Sequence, residues 1–462
     1  MEGLEGQLAS ACENGHIETV ESLLNNENIN LNRKIVNWKT PFWIACCSGH
    51  IEIVKLLFRD KIVNINQENI VGETPFYIAC EKGHIEVVKL LLNDERVDIN
   101  KADNDGVTPF YIACKEKYIE IVRLLLKEDR VDINKAMKDG TTPFYIACEK
   151  GHIEVVKLLL NDERIDINQA QSQGATPFYI VCKKGDTKIV KLLLNDKRID
   201  INKVENSLGA TPFYIVCKKG YIEIVKLLLN DERVDINKAD NNGVTPFYIV
   251  CESRYIEIVK LLLNNRRVDI NKTTNIFGWT PFLVACEYGH IEIVKLLLND
   301  NRIDVNKIND NGISPLYIAC FHGHIEIVKI LLKDERVDVN KANKYGTTPL
   351  CVACEKGHLE IVEFFLAIGR GINLLIRDNE GKLAIDFARK RENEEYEDDE
   401  DESEDEEEIN SDSDLESDEK FQQRKRKFTN IVELLEAFER NPNETRKELR
   451  MKFDLPGKKL FI

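Results

Sequence analysis

A tripeptide that recurs at a nearly constant interval constrains the fold of this chain more than any other feature. Thr-Pro-Phe and its close variants begin at Thr40, Thr74, Thr108, Thr142, Thr176, Thr211, Thr245, Thr280, Ser314 and Thr348. Successive members of this series lie 34 or 35 residues apart. A period of this length is typical of repeat proteins, in which each unit buries its apolar face against its neighbours.

Each repeat encodes two helices and a polar connection, as residues 101–134 illustrate. Thr108 is a natural N-cap, and Pro109 fits the first helical position, where a missing N–H group removes no hydrogen bond. After this short first helix comes a second one, apolar almost all round, which must be covered on two sides. The polar run over 127–140 is typical of a turn or hairpin-like finger.

The repeated pattern resembles that of a known family. G-x-T-P-F-Y-I-A-C followed by G-H-I-E-V-V-K-L-L-L is similar to the ankyrin repeat, with its T-P-L-H-x-A and G-H-x-E-I-V elements. The resemblance implies an all-α solenoid of about twelve helix-turn-helix units with hairpin-like fingers. Lys117 and Arg254 replace the glycine of the inter-helix turn in two units, and we expect strained backbone there.

Atypical repeats at the two ends set the domain boundaries. Residues 1–32 are interpreted as an N-terminal capping repeat and 33–373 as ten internal repeats. The last repeat is predicted to be split, with its first half at 374–391 and its second half, followed by a helical cap and tail, at 428–462. An insertion at 392–427 separates these halves, and the second helix is expected to resume near Ile431.

The acidic part of the insertion accounts for the chain's net negative charge. Residues 392–419 carry 19 acidic side chains, so a net charge of -16 for the whole chain leaves +3 for the rest. Such a segment cannot bury an apolar core, and we predict that it is disordered. Three serines in it precede acidic residues in the manner of sites for acid-directed protein kinases, namely Ser403, Ser411 and Ser413. The basic cluster Arg424–Lys427 follows and is a candidate nuclear-import signal.

The residues with reactive side chains follow the repeat, which favours structural roles for them. Eleven of the 13 cysteines occupy one repeat position, where a small buried residue packs the first helix on its neighbour. Cys351, Cys354 and His358 have a spacing that suggests zinc, but they lack a second cysteine pair, so we favour a core role. No phosphate-binding loop or catalytic motif stands outside the repeat. The sequence therefore predicts a protein that is not an enzyme and has no cofactor.

Exposed positions at which the repeats differ are the candidates for binding. In three consecutive repeats, aromatic or imidazole side chains occupy positions expected to line the concave groove, namely Phe277, Trp279, Tyr288, Phe321, His322 and Tyr345. Aromatic side chains bury a large area at a small cost in conformational entropy, so we interpret this aromatic cluster as partner-binding. The alternative is that these residues have no binding role and vary because their positions tolerate substitution. A second candidate is a row of four lysines suited to an acidic partner segment, namely Lys183, Lys184, Lys218 and Lys219.

These features predict a non-catalytic scaffold or adaptor that binds another protein in the concave groove. We expect a monomeric, cytoplasmic protein with no small-molecule substrate, no direct nucleic-acid binding and no membrane insertion. The alternative is a nuclear regulatory protein whose acidic insertion binds basic partners such as histones, with the repeats as a spacer.

Overall fold

The computed structural model describes residues 3–393 and 413–455, and all regular structure in these ranges is helical. The chain divides into two compact units, residues 1–235 and 236–462. The first unit contains a short 3-10 helix (Val36–Trp38) and the α-helices α1 (Leu4–Asn14), α2 (Ile17–Leu24), α3 (Pro41–Ser48), α4 (Ile51–Arg59), α5 (Pro75–Lys82), α6 (Ile85–Leu92), α7 (Pro109–Lys115), α8 (Ile119–Leu126), α9 (Pro143–Glu149), α10 (Ile153–Leu160), α11 (Pro177–Lys184), α12 (Thr187–Leu194), α13 (Pro212–Lys219) and α14 (Ile222–Leu229).

The second unit continues the same alternation of first and second helices and ends in longer ones. Its helices are α15 (Pro246–Glu252), α16 (Ile256–Leu263), α17 (Pro281–Glu287), α18 (Ile291–Leu298), α19 (Pro315–Phe321), α20 (Ile325–Lys333), α21 (Pro349–Glu355), α22 (Leu359–Ile368), α23 (Ala384–Asn393), α24 (Ser413–Arg440) and α25 (Pro442–Lys452). Within each unit, first helices pack on first helices and second helices on second helices. The paired arrangement confirms the predicted ankyrin-type solenoid.

The first helices begin where the sequence predicts. The hydroxyl of Thr108 accepts a hydrogen bond from the backbone N–H of Tyr111 at 3.1 Å, and Pro109 occupies the first helical position. Phe110 and Cys114 on this helix are buried, as are their counterparts in the other internal repeats. All 13 cysteines have free thiols, and burial raises the pKa of most of them well above the ordinary range. The repeat cysteine is therefore a packing residue.

In six repeats, the histidine of the inter-helix turn links the repeat to the one before it. The Nε2 atom of His152, for example, donates a hydrogen bond to the backbone carbonyl of Lys115 at 2.9 Å. Five further histidines make the same bond to the preceding repeat, namely His50, His84, His290, His324 and His358. These bonds give the recurrent histidines a structural role.

A row of asparagines also joins neighbouring repeats, and sequence analysis missed it. The side-chain amide of Asn134 donates to the carbonyl of Arg164 at 2.7 Å, while its carbonyl oxygen accepts from the N–H of Asp166 at 2.9 Å. The same pair of bonds recurs at Asn32, Asn66, Asn100, Asn168, Asn202, Asn237, Asn271, Asn306 and Asn340. The recurrence of Asn at one repeat position was the available signal.

The expected backbone strain is present at the two unusual turns. Lys117 has φ 64° and Arg254 has φ 60°. Other repeats have a glycine at this position, such as Gly151 with φ 74°. A side chain in this left-handed region costs about 1–2 kcal/mol. These two repeats therefore carry a local penalty that their neighbours avoid.

The C-terminal helices cover the last full repeat. Lys452 on α25 pairs with Glu363 on α22 at 2.6 Å, and the rings of Phe453 and Phe364 meet edge to face at 5.2 Å. The helix α24 begins at Ser413 and not near Ile431, so the basic cluster lies within a helix. Much of the predicted acidic insertion, including Ser403 and Ser411, lies outside the described residues.

Candidate functional site

A cleft of about 480 Å³ opens on the second unit, between the fingers and the first helices of its last repeats. A finger is the segment between the second helix of one repeat and the first helix of the next. The helices α19, α21 and α23 supply the floor and the fingers supply the rim. The residues that line the cleft are Asn311, Ile313, Tyr317, Ile318, Phe321, Asn343, Lys344, Tyr345, Thr347, Glu355, Asp378, Asn379, Glu380, Lys382 and Phe387.

Aromatic and aliphatic side chains form the floor of the cleft. Tyr317 is buried, and its hydroxyl accepts a hydrogen bond from the side-chain amide of Asn343 at 3.1 Å. Burial, with a contribution from Glu355, raises the pKa of Tyr317 to about 12, so its hydroxyl stays protonated at neutral pH. Phe321 and Phe387 are half-buried and present part of their rings to the cleft.

Backbone hydrogen bonds between neighbouring fingers hold the rim in place. Tyr345, whose side chain is 60% exposed, accepts a bond at its carbonyl from the N–H of Asn379 at 3.0 Å. The N–H of Lys344 likewise donates to the carbonyl of Asn311 at 3.0 Å. Because each finger is bonded to the next, the backbone that carries the Tyr345 ring is held in place before any partner arrives.

Charges of both signs surround the cleft. Its lining residues include the carboxylates of Glu355, Asp378 and Glu380 and the ammonium groups of Lys344 and Lys382. Lys382 is already paired with Glu380 at 2.5 Å. The ammonium group of Lys344 lies 5.0 Å from the centroid of the Tyr345 ring. The site is thus an aromatic floor with a polar, nearly balanced rim.

Another lysine contacts the floor from outside the lining set. The ammonium group of Lys356 lies 4.4 Å from the centroid of the Phe321 ring. Such contacts are typical cation–π pairs.

The structure brings together two of the six predicted aromatic and imidazole residues. Phe321 and Tyr345 both line the cleft. Phe277 projects from its finger, 58% exposed, with its backbone in the left-handed region at φ 61°. Tyr288 and His322 lie at the ends of their first helices, where Tyr288 stacks on His290 at 5.9 Å.

Trp279 is half-buried at the base of its finger, where its backbone pairs with Thr274. This placement differs from the exposed position that the sequence predicted. His322 contacts the Phe321 ring edge-on at 5.0 Å, and partial burial lowers the pKa of its imidazole. Neither Trp279 nor His322 lines the cleft.

The predicted lysine row belongs to the first unit. Lys183 and Lys184 lie in the last turn of α11, and Lys218 and Lys219 in the last turn of α13. All four side chains are exposed. Lys184 approaches Glu149 on the preceding repeat at 3.8 Å, a distance typical of a weak surface ion pair.

An exposed apolar patch on fingers of the first unit escaped the sequence analysis. Trp38 is 54% exposed, with the ammonium group of Lys34 4.6 Å from the centroid of its ring. Ile70 and Val71 on the next finger are also exposed, and the N–H of Ile70 donates to the carbonyl of Asn37. The available signal was the apolar character of these finger residues, which are polar in most other repeats.

One buried amide in the second unit has no hydrogen-bond partner. Asn309 is 4% exposed, and its Nδ2 atom is unsatisfied. In the next repeat the equivalent Asn343 donates to Tyr317, 26 residues before it. The residue 26 positions before Asn309 is Leu283, which has no hydroxyl. The replacement of tyrosine by leucine therefore explains the unpaired amide.

Restoring the hydroxyl is expected to stabilise the protein. Leu283→Tyr gives Asn309 the acceptor that Asn343 has, and should raise the free energy of unfolding by about 1 kcal/mol, measured by urea denaturation. Leu283→Phe is the matched control, because it adds the ring without the hydroxyl. An equal gain from both variants would show that packing, and not the hydrogen bond, is responsible.

The cysteine–histidine spacing that suggested zinc is used in packing. Cys351 and Cys354 are buried, and the hydroxyl of Thr348 donates to the Sγ atom of Cys351 at 3.1 Å. His358 bonds to the carbonyl of Phe321 at 3.1 Å. Within 3–393 and 413–455, no group of three or more His, Cys, Asp or Glu side chains could hold a metal ion. No helix among the described residues is long and apolar enough to span a bilayer.

Comparison with protein families agrees with the repeat geometry. The family model for ankyrin repeats (3 copies) matches residues 8–103, 61–137, 83–171, 129–205, 179–274, 266–343 and 282–378. Together these matches cover most of the chain, which therefore belongs to the ankyrin repeat family. Ankyrin repeats are generally modules of protein–protein interaction. A search of curated proteins found no match.

Proposed function

We propose that this chain is a non-catalytic scaffold or adaptor whose cleft on the second unit binds an extended segment of a partner protein. The pairing of Tyr345 on the rim with Phe321 on the floor of one cleft carries the proposal. Large aromatic side chains at the centre of an interface supply much of its binding free energy. A cleft of about 480 Å³ accommodates one or two bulky side chains of such a segment.

The order of the rim supports binding without a large entropic penalty. The fingers are bonded to one another through their backbones, so the backbone at Tyr345 does not need to be ordered by the partner. Phe277 lies on an earlier finger of the same unit, and it is exposed in spite of a strained backbone. Strained, exposed residues of this kind are common at functional sites. We include Phe277 and Tyr288 as peripheral contacts.

The polar rim favours a partner segment that carries both apolar and charged residues. The lining carboxylates of Glu355 and Asp378 suit a lysine or arginine, and Lys344 suits an acidic residue. Rim charges of this kind mainly contribute selectivity and association rate. The lysine row of the first unit, the cytoplasmic location and nuclear import through the basic cluster stay predictions.

Peptide selection tests the proposal directly. Peptides are first selected from a random library against the full chain. They are expected to bind the double variant Phe321→Ala/Tyr345→Ala at least ten-fold more weakly, which corresponds to a loss of about 1.4 kcal/mol or more of binding free energy. Trp38→Ala is the matched control, because it removes an exposed finger aromatic from the first unit. Fluorescence anisotropy gives the dissociation constants. Equal affinity for all three proteins would reject the cleft as the binding site.

The same assay distinguishes binding at the cleft from binding at the acidic insertion. Deletion of 394–412 should leave the affinity of a cleft-bound peptide unchanged. If the insertion is the binding site, its deletion removes binding, and binding to the intact chain falls steeply with added salt.

A further inference from the structure

The hydroxyl of Thr429 holds a contact between the two helices of the last repeat. Thr429 lies on α24, and its Oγ1 atom donates a hydrogen bond to the Oε1 atom of Glu392 on α23 at 2.9 Å. The same hydroxyl approaches the carbonyl of Lys425 on its own helix at 3.2 Å. An ion pair between Arg389 and Glu436, at 2.7 Å, also joins these helices. Thr429 and Glu392 are both half-buried.

The sequence before Thr429 is strongly basic. Arg424, Lys425, Arg426 and Lys427 precede it, which places arginines three and five residues before the hydroxyl. Protein kinases select acceptors by the charge pattern around them, and one large class requires arginine at these two positions. The basic cluster does not line the cleft. Its arginines have the spacing of a kinase recognition sequence.

The structure leaves that recognition sequence accessible. The side chains from Gln422 to Lys427 are all exposed, and Phe428, at 4% exposed, is the first buried residue of this part of α24. None of these six side chains is buried, so local opening of 422–427 removes no side chain from the core. Access to Thr429 itself also requires Phe428 to leave its site, so modification of the folded chain should be slow.

We propose that Thr429 is a phosphorylation site for an arginine-directed protein kinase, and that its phosphorylation separates α24 from α23. In this reaction the γ-phosphoryl group of ATP moves to Oγ1, where a new P–O bond forms as the bond to the β-phosphate breaks. The products are phosphothreonine and ADP, and the hydroxyl proton passes to the base of the kinase. The kinase and ATP are supplied from outside the chain.

Electrostatics gives the direction of the effect. A phosphate carries a charge of about -1.5 to -2 at neutral pH, so it mainly accepts hydrogen bonds and repels a carboxylate. The bond from Thr429 to Glu392 therefore becomes a repulsion between two anions. On its own helix the phosphate lies three and four residues after Arg426 and Lys425, a spacing at which opposite charges pair. The helix α24 is thus expected to persist while its contact with α23 is lost.

Loss of the contact between α23 and α24 would also change the cleft. Its effect on partner binding rests on the proposed function. Phe387 of α23 lines the cleft, so a displaced α23 removes part of its floor. Phosphate incorporation and hydrogen exchange can be measured without any peptide. They therefore test the site independently of whether the cleft binds a partner.

The experiment uses the full chain, ATP and a protein kinase that requires arginine three residues before its acceptor. Mass spectrometry of the digested product is expected to find phosphate at position 429 in the unaltered protein and in Thr429→Ser. Thr429→Val should carry no phosphate at this position. Arg426→Gln should reduce incorporation at least ten-fold. Absence of phosphate from Thr429, or undiminished incorporation in Arg426→Gln, would overturn the assignment.

Hydrogen exchange then tests the structural consequence. The amides of α23 should exchange at least ten-fold faster in the phosphorylated protein than in the unmodified one, whereas those of α9 should not change. Thr429→Glu is expected to accelerate exchange in the same direction. Unchanged exchange in α23 after full phosphorylation would overturn the proposed separation of the helices.

Discussion

Phe144→Ala is expected to lower the free energy of unfolding by about 3–5 kcal/mol. Phe144 lies near the start of α9, 1% exposed, at a position that holds a large apolar side chain in every internal repeat. Removing the ring loses its burial free energy and leaves a cavity, because the helices on either side are held by their own repeats. Urea denaturation followed by circular dichroism measures the change.

The effect should also be local. In repeat proteins each unit contacts only its neighbours, so hydrogen exchange should accelerate most in α9 and α10 and in the adjoining repeats. Phe277→Ala provides a matched control, since it is the same substitution at a site that is 58% exposed. A comparable loss of stability at both positions would contradict the placement of Phe144 in the core.

Gly312→Ala is the second substitution with a large expected effect. Gly312 has φ 74°, and a Cβ atom there would lie 2.7 Å from the backbone nitrogen of Lys344 on the next finger. The left-handed backbone costs an alanine about 1–2 kcal/mol. The clash adds about 1–3 kcal/mol, because the next finger has to move. Urea denaturation should show the sum of the two costs.

Gly371→Ala separates the two contributions. Gly371 has φ 62°, but no atom lies within 4 Å of the position its Cβ would take. This variant should therefore lose only the unfolding free energy that comes from the left-handed backbone, about 1–2 kcal/mol. If both substitutions destabilise the protein equally, the close approach of the fingers at Gly312 makes no measurable contribution.

The helices were predictable from sequence because local chemistry determines them. Threonine or serine caps, N1 prolines and apolar periodicity recur in every internal repeat, and Thr108 with Pro109 shows the cap as predicted. The strained turns at Lys117 and Arg254 followed from a missing glycine. The hydrogen bonds between repeats, such as those of Asn134, were not predictable, since they join groups about 30 residues apart.

The candidate site was predicted only in part, for a geometric reason. Successive residues of a helix point about 100° apart, so the two residues after each repeat cysteine cannot face the same way. The first of them, Phe321, faces the cleft, whereas the second, His322, lies at the end of the helix. Trp279 follows the finger glycine and lies at the base of its finger, half-buried. The repeat pattern alone does not distinguish the directions in which these side chains point.

A hydrogen-exchange footprint of a selected peptide on the full chain tests the central claim most directly. If the cleft binds the partner segment, the peptide should slow exchange in 313–321 and 343–347 and leave the first-unit finger around Trp38 unchanged. Protection at the lysine row of α11 and α13, or no protection at the cleft while the peptide is bound, would contradict the account.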